Sequence, residues 1–296
     1  MLKLNGKELA QKINSEVATQ ALLWEQETAL KPSLTVILVG EDPASLTYVK
    51  SKERTAQKIG FNSRTIQLEA TVSEKELLEL ITKLNNSAET NAILVQLPLP
   101  PHIDEKRVIA QIDPLKDVDA LHPLNMGKLV LGESPLVPCT PGGILTLFDF
   151  WKIETAGKAV TIIGRSNIVG KPLAALLVQK GRDATVTLCH SKTTDLVQHT
   201  LNADIIVVAI GVPQFLKGSM VKNGAVVVDV GINRVEDPFK ERGYRLVGDV
   251  EWESVAPKCS AITPVPGGVG PLTIAMLMKN TLIAAREQHS RREFNG

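Results

Sequence analysis

The chain has 296 residues, three cysteines and a formal net charge of +1, with 44% apolar and 22% charged residues. This length is sufficient for two domains of ordinary size, and the near-neutral charge gives no reason to expect a nucleic acid or an anionic membrane as partner. The apolar runs are too short to span a bilayer, and the first ten residues lack the apolar core of a signal peptide. We therefore expect a cytoplasmic protein or, after removal of a transit peptide, one in the interior of an organelle.

The cysteines Cys139, Cys189 and Cys259 are few and widely spaced. An odd number at these spacings fits neither a disulfide framework nor a metal cluster. We predict reduced, partly buried thiols and no metal site.

The N-terminal half alternates apolar strands with amphipathic helices, which predicts an α/β domain with a mostly parallel sheet. Asp42 is suited to cap a helix that begins at Pro43 and ends at Gly60. Ser73 and Glu76 form the capping box of the next helix. The predicted strands are 34–39, 64–68 and 92–97, and the predicted helices are 6–30, 43–60 and 73–85.

Three polar residues lie where this sheet would bind a ligand. Tyr48 and Lys52 are four residues apart on a helix that directly follows a strand, so both project from one face near the carboxyl edge of the sheet. A surface pair with no function is the alternative. Gln96 interrupts an apolar strand near its end, and a buried amide there must be hydrogen-bonded to a ligand or to the start of a loop.

Two carboxylates follow, Asp117 and Asp119, at alternate positions that point the same way in an extended segment. Such an acid can hold the amidine-like edge of a pterin or guanine ring through two charge-assisted hydrogen bonds. Equally, both can be solvated turn residues. Residues 123–141 are interpreted as an interdomain passage, after which an apolar helix begins.

The second half opens with a strand at 160–163, a loop containing Gly164 and Gly170, and a helix from Pro172. A helix N-terminus with unpaired N–H groups suits a phosphate, and glycines let the backbone approach one. The spacing is not that of the G-x-G-x-x-G motif, so an ordinary turn remains an alternative.

The next strand, 185–188, lies where a NAD site would place an acid on the ribose hydroxyl, about 20 residues beyond the loop. Cys189, His190, Ser191 and Lys192 follow it instead. The missing carboxylate, together with Arg165 in the loop, favours NADP over NAD. The alternative is that Arg165 and Lys192 are merely solvated.

Two further strands, 204–209 and 225–228, each end shortly before a glycine where a cofactor can approach the backbone. A Pro- and Gly-rich loop at 263–271 then precedes the last apolar helix. Six segments, in this order, resemble the bifunctional methylenetetrahydrofolate dehydrogenase/cyclohydrolase family: 48–52 (YVKSK), 96–100 (QLPLP), 116–119 (KDVD), 138–143 (PCTPGG), 164–172 (GRSNIVGKP) and 263–273 (TPVPGGVGPLT).

The resemblance implies a two-domain α/β protein. A folate-binding catalytic domain is expected at 1–122 and 272–296, with the C-terminal helix returning to it, and a Rossmann-like NADP-binding domain at 138–271. The implied activity is oxidation of 5,10-methylenetetrahydrofolate with NADP, then hydrolysis of the methenyl product to 10-formyltetrahydrofolate in the same cleft. Such an enzyme serves one-carbon metabolism and purine biosynthesis, and the family is dimeric, so we expect a homodimer.

The resemblance also implies roles for individual residues. Lys52 is the catalytic lysine, Gln96 hydrogen-bonds it, Tyr48 lines the folate ring and Asp119 grips the pterin. Pro266 and Gly268 belong to a loop near the folate. The implied cofactor contacts are Gly164, Arg165, Ser166 and Ser191, with Ile232 at the nicotinamide end.

One position departs from the family pattern, because Ala120 stands where the family usually has glycine. We expect this alanine to be harmless, although a positive φ there would strain the loop by about 1 kcal/mol and could shift Asp119. Two rival interpretations are another NADP dehydrogenase, such as one for shikimate, and a non-catalytic dinucleotide sensor. The segments 117–119 and 266–271 disfavour the first, and Tyr48, Lys52 and Gln96 disfavour the second.

Overall fold

The computed structural model describes residues 1–240 and 243–295. These form two compact units, each with its own parallel sheet. The three-strand unit consists of Gln11–Cys139 with residues 274–295, and the six-strand unit consists of Met1–Ala10 with Thr140–Thr273.

Strands and helices alternate along most of the described chain. The strands are β1 Leu2–Lys3, β2 Ser33–Val39, β3 Asn62–Leu68, β4 Ala92–Val95, β5 Ala159–Ile163, β6 Thr185–Cys189, β7 Ile205–Val208, β8 Val226–Asp229, β9 Asn233–Glu236, β10 Tyr244–Val247 and β11 Ala261–Ile262. The helices are α1 Gly6–Thr28, α2 Pro43–Lys58, α3 Glu74–Asn86, α4 Glu105–Gln111, α5 Pro123–Leu131, α6 Cys139–Phe150, α7 Gly170–Leu177, α8 Leu196–Asn202, α9 Trp252–Val255 and α10 Val269–Asn295.

The three-strand unit is built on the parallel sheet β3-β2-β4. Its central strand β2 is buried on both faces, as its mostly apolar sequence predicts. The helix starts also follow the sequence: Asp42 Oδ2 accepts a 2.7 Å hydrogen bond from Ser45 N at the start of α2, and the predicted capping box opens α3. The sheet packs on apolar residues of α3 and α4, among them Leu77, Ile81 and Val108.

The six-strand unit contains the parallel sheet β1-β11-β8-β7-β5-β6, with β9 and β10 as a separate antiparallel hairpin. Strand β5 has β6 on one side and β7 on the other. The winding of the chain therefore reverses at β5, and open α/β sheets bind ligands beyond the carboxyl ends of the strands at such a point.

The predicted α/β fold with two domains is confirmed, including the return of the C-terminal helix. From residue 274 onward α10 belongs to the three-strand unit. There the Arg286 guanidinium donates to Gln20 O of α1 at 3.1 Å, and Gln288 Nε2 donates to Asn91 O at 2.7 Å.

Three details differ from the sequence analysis. Residues 1–10, which it assigned to the first domain, pack with the six-strand unit, because β1 pairs with β11. The segment 123–141, interpreted as a passage, contains α5, whose start is capped by the His122 ring accepting from Leu124 N at 3.0 Å. The β9–β10 hairpin was not anticipated. Within residues 1–240 and 243–295, no helix is both long and apolar enough to cross a membrane.

Candidate active site

Lys52 is buried at the carboxyl edge of the three-strand sheet. It is a residue of α2, the helix that directly follows β2, and its side chain is only 7% exposed. Its Nζ donates a 2.8 Å hydrogen bond to Gln96 Oε1. Gln96 follows β4, and its side-chain nitrogen Nε2 donates a hydrogen bond to Leu97 O at 2.8 Å. The Gln96 side chain is therefore held at both ends, and it fixes the position of the lysine amine.

The environment of Lys52 shifts the titration of its amine to lower pH. Burial lowers the pKa of the amine because a charge is poorly solvated there, while Asp119 and Cys139 act in the opposite direction. Tyr48 lies one turn earlier on α2, partly buried, and burial raises the pKa of its hydroxyl. The structure thus brings Lys52, Gln96 and Asp119 together, with Tyr48 on the same helix.

Cys139 is a member of this cluster that the sequence analysis did not assign. Its thiol donates to Val118 O at 3.4 Å, and burial together with the nearby negative charge of Asp119 raises the pKa of the thiol well above its usual value. Asn280 of α10 holds both segments, because its Nδ2 donates to Val118 O and to Val137 O at 2.8 Å each. The PCTPGG segment pointed to Cys139, whereas no local signal points to Asn280.

The two alternate carboxylates, Asp117 and Asp119, have different surroundings. Asp117 is 2% exposed, and its Oδ2 accepts hydrogen bonds from His122 N at 2.7 Å and Asn125 Nδ2 at 2.9 Å. Burial raises the pKa of Asp117 to about 6. Asp119 is only partly buried. Asp117 therefore organises the loop, and Asp119 is the carboxylate left available for a ligand.

Ala120 has a φ of +56° and is fully buried. This is the left-handed region in which glycine is favoured and an alanine is strained. The expectation that the alanine is harmless was therefore wrong as far as backbone conformation is concerned. The strained residue lies directly beside Asp119.

In the six-strand unit, the loop after β5 requires its glycines. Gly164 has a φ of +119°, and a Cβ there would lie 2.2 Å from Ala209 O. Gly170 begins α7, where a Cβ would lie 1.9 Å from Gly164 O. Because a Cβ at either position would overlap a backbone oxygen, only glycine permits this closely packed turn, which leads into the N-terminus of α7.

The polar residues predicted to contact a cofactor surround this turn. Arg165 and Ser166 are exposed in the loop after β5, and Ser191 is exposed in the loop after β6. Ser166 Oγ also accepts a 3.1 Å hydrogen bond from Val169 N, which helps to shape the turn. The carboxyl ends of β5 and β6 thus present hydroxyl groups and a guanidinium, with no acid in the four residues after Leu188.

The remaining predicted residues also belong to the six-strand unit. Ile232, 39% exposed, lies in the loop after β8. Pro266 and Gly268 lie in the loop after β11, which packs on the start of α1: Lys7 N donates to Gly267 O at 3.0 Å, and a Cβ on Gly6 would lie 1.8 Å from Gly268 O.

Comparison with known families supplies the decisive observation. Residues 4–119 match the catalytic domain of tetrahydrofolate dehydrogenase/cyclohydrolase, and residues 138–289 match the NAD(P)-binding domain of the same enzyme. The chain belongs to the tetrahydrofolate dehydrogenase/cyclohydrolase family. The resemblance stated from the sequence is therefore confirmed.

Individual members of the tetrahydrofolate dehydrogenase/cyclohydrolase family are similar to this chain over almost its full length. The bifunctional protein FolD of Chlorobium phaeobacteroides is 52% identical, covering 98% of this chain and 99% of the relative. The crystal structure of the bifunctional enzyme FolD from Campylobacter jejuni has a TM-score of 0.91 and 46% identity, covering 97% of this chain and 99% of that one. A FolD structure from Trypanosoma brucei, complexed with NADP and an inhibitor, has a TM-score of 0.93 and 39% identity, with 97% and 98% covered.

The rival dehydrogenase interpretation is weakened by the same comparison. Shikimate 5-dehydrogenase from Thermus thermophilus has a TM-score of 0.52 and 11% identity, covering 86% of this chain and 99% of that one, a likeness of fold alone. The family's NAD(P)-binding domain model matches most of the six-strand unit, whose chain reverses at β5, the kind of point at which open α/β sheets bind a dinucleotide. Among the described residues, no cluster of three or more His, Cys, Asp or Glu side chains is arranged to hold a metal ion.

Proposed function

We propose that this protein oxidises 5,10-methylenetetrahydrofolate with NADP and hydrolyses the resulting 5,10-methenyltetrahydrofolate to 10-formyltetrahydrofolate. One observation carries the proposal beyond family membership: Lys52 is a buried amine with a lowered pKa, hydrogen-bonded to Gln96 and close to the Asp119 carboxylate. A binding module would not need an activated amine. We assign the folate chemistry to the three-strand unit and NADP to the six-strand unit.

In the oxidation step, the residues of this chain mainly position the substrate. The methylene carbon that loses a hydride is flanked by two nitrogens, whose lone pairs stabilise the resulting cation, so neither a strong acid nor a strong base is needed. NADP, when bound, supplies the hydride acceptor. We assign to Asp119 the role of holding the pterin edge and to Tyr48 that of lining its ring.

Hydrolysis places a different demand on the site. Water must lose a proton as it adds to the methenyl carbon, and a ring nitrogen must regain one as the ring opens. Burial of Lys52 lowers the pKa of its amine, which makes the neutral form accessible as a proton acceptor. Because Gln96 Oε1 accepts from Nζ at 2.8 Å, the amine stays oriented through both proton transfers. The same lysine, once protonated, can return the proton.

For NADP, we assign the pyrophosphate to the turn that contains Gly164 and to the N-terminus of α7. Arg165, with Ser166 and Ser191, is assigned to the 2′-phosphate side of the cofactor, since a carboxylate that would repel this group is missing after β6. Ile232 is placed beside the nicotinamide, and Pro266 and Gly268 near the folate. These assignments rest on the family motifs and on the exposure of the side chains.

We further propose that the protein acts as a homodimer in the cytoplasm without a nucleic-acid partner. The resemblance to a dimeric family supports the dimer, and the net charge of +1 argues against nucleic acid. Gel filtration with light scattering measures the subunit number directly.

The proposed function is tested by an absorbance assay on the purified chain. Methylenetetrahydrofolate is mixed with NADP or NAD, and reduced cofactor and methenyltetrahydrofolate are followed together. Methenyltetrahydrofolate is supplied alone in a second assay, and its decay is compared with that in buffer. We expect NADP-dependent oxidation and accelerated decay. Oxidation without accelerated decay would refute the bifunctional assignment, and neither reaction would indicate a binding protein.

A further inference from the structure

A buried carboxylate, Asp249, joins two loops at the carboxyl edge of the six-strand sheet. Its Oδ2 accepts hydrogen bonds from Ile210 N at 2.8 Å and Gly211 N at 2.9 Å, just beyond β7. Its Oδ1 accepts from Asn233 Nδ2 at 2.9 Å, at the end of the loop after β8. Asp249 is fully buried, so water does not compete for these donors. One side chain therefore fixes the relative position of both loops.

A second carboxylate, Asp229, holds Asp249 in place. Asp229 Oδ1 accepts from Asp249 N at 2.9 Å and Oδ2 accepts from Val250 N at 3.0 Å. Oδ1 also accepts from Gly231 N at 3.1 Å. The end of β8, the loop after it and the segment after β10 are thus tied to one another through buried hydrogen bonds.

Two glycines allow this close approach. A Cβ on Gly231 would lie 2.1 Å from Asp249 Oδ1, and a Cβ on Gly248 would lie 1.7 Å from Asp229 Oδ2. Further along the loop after β7, a backbone hydrogen bond takes over, because Leu216 N donates to Asp249 O at 2.9 Å. The part that depends on the Asp249 side chain is therefore the short segment 210–211, directly beyond the strand.

We propose that Asp249 is a positioning residue for hydride transfer, which sets the two loops against which the nicotinamide lies. The inference rests on the proposed function, in which Ile232 is beside the nicotinamide. Ile232 lies between Gly231 and Asn233, both in contact with this network. A shift of either loop changes the distance between the reacting carbons, to which the rate of hydride transfer is sensitive. The side-chain hydrogen bonds of Asp249 end on Ile210, Gly211 and Asn233, none of which is assigned to the adenosine end of the cofactor.

The test compares Asp249→Asn with wild type in three measurements. Dehydrogenase kcat and the KM for NADP report on the nicotinamide end, the Kd of adenosine 2′,5′-bisphosphate reports on the adenosine end alone, and methenyltetrahydrofolate hydrolysis without cofactor reports on the three-strand unit. We expect kcat to fall about tenfold or more, since a displacement of about 1 Å can cost about 10²-fold. The bisphosphate Kd and the hydrolysis rate should stay at the wild-type values.

Two further variants complete the design. Asp204→Asn makes the same charge change before β7, at the opposite edge of the sheet, where Asp204 accepts from Lys222 Nζ at 2.7 Å, and it should leave dehydrogenase kcat unchanged. Asn233→Ala removes one donor and leaves the carboxylate in place, so a smaller loss of kcat is expected even if Asp249→Asn fails to fold.

The inference is overturned if Asp249→Asn and Asn233→Ala keep the wild-type kcat. It is also overturned if bisphosphate binding weakens in parallel with kcat, since that result indicates a general structural role. A wild-type protein without NADP-dependent oxidation would refute the proposed function and, with it, this inference.

Discussion

Replacing Asp117 and Asp119 in turn should separate a structural acid from a ligand-binding one. Asp117→Ala leaves two buried donors, His122 N and Asn125 Nδ2, without their shared acceptor. Each unpaired donor costs about 1–3 kcal/mol. Removing a buried charge offsets part of this cost, since burial is what raises the pKa of Asp117 to about 6. We expect the free energy of unfolding to fall by about 2 kcal/mol.

Asp119→Ala should give the opposite pattern. Asp119 is partly exposed, so its loss should change the free energy of unfolding by less than about 1 kcal/mol. A charge-assisted pair with the pterin is worth about 1.5–3 kcal/mol, which predicts folate binding weakened about 10- to 150-fold. NADP affinity should stay near normal.

The assay combines urea unfolding with calorimetric titration of a tetrahydrofolate derivative. Asp117→Asn is the matched control, because both hydrogen bonds end on one oxygen, Oδ2, which the amide oxygen can replace. It should be milder than Asp117→Ala. A stable Asp117→Ala that no longer binds folate, beside an Asp119→Ala that binds normally, would show that the two roles are exchanged.

Three further predictions concern the six-strand unit. Arg165→Ala should weaken NADP binding by about 1–3 kcal/mol and leave NAD binding largely unchanged, and equal losses in titrations with both cofactors would contradict its assignment to the 2′-phosphate. Burial raises the pKa of Asp229 to about 7 from 3.8, so the folded state keeps a proton that the unfolded chain has lost. Stability should therefore fall as pH rises from about 4 to 7, by at most about 1.4 kcal/mol per pH unit, and level off above. In urea unfolding, the stability of Asp229→Asn should depend less on pH than that of the wild type. If the variant keeps the wild-type slope of stability against pH, Asp229 is not the group that causes it. Gly6→Ala should raise the KM for folate and lower the melting temperature, because the methyl group would meet Gly268 O. Gly127→Ala is its control, since no atom lies within 4 Å of a Cβ there. If the two variants have the same KM for folate, the loop does not depend on this contact.

Much of the fold could be predicted because its signals are local. The cap at Asp42, the capping box at Ser73 and the apolar strand β2 each depend on neighbours within a few residues. The placing of Tyr48 and Lys52 on one helix face follows in the same way from helical periodicity. These elements are specified by interactions between residues that are close in the sequence, so they can be predicted without knowing the tertiary structure.

Other features depend on partners far away in the sequence. Asn280 donates to a carbonyl 162 residues away, and β1 pairs with β11 near the other end of the chain. The strands β9 and β10 are only four residues long, and the mostly polar sequence of β9 leaves little apolar pattern to reveal their pairing. The strain at Ala120 comes from its backbone conformation. The replacement of a usual glycine suggests such strain, but only the observed φ of +56° establishes it.

The central claim is that one buried amine, that of Lys52, is needed for hydrolysis more than for oxidation. Lys52→Met keeps most of the side-chain length and packing but removes the titrating group. The decisive measurement is the rate of methenyltetrahydrofolate decay, corrected for spontaneous hydrolysis, beside the rate of NADPH formation. Lys50→Met, an exposed position on the same helix, is the control. We predict that decay slows by about 10²–10⁴-fold in Lys52→Met while NADPH formation remains measurable. Decay at the wild-type rate would contradict the account, because the Lys52 amine would then have no part in the hydrolysis.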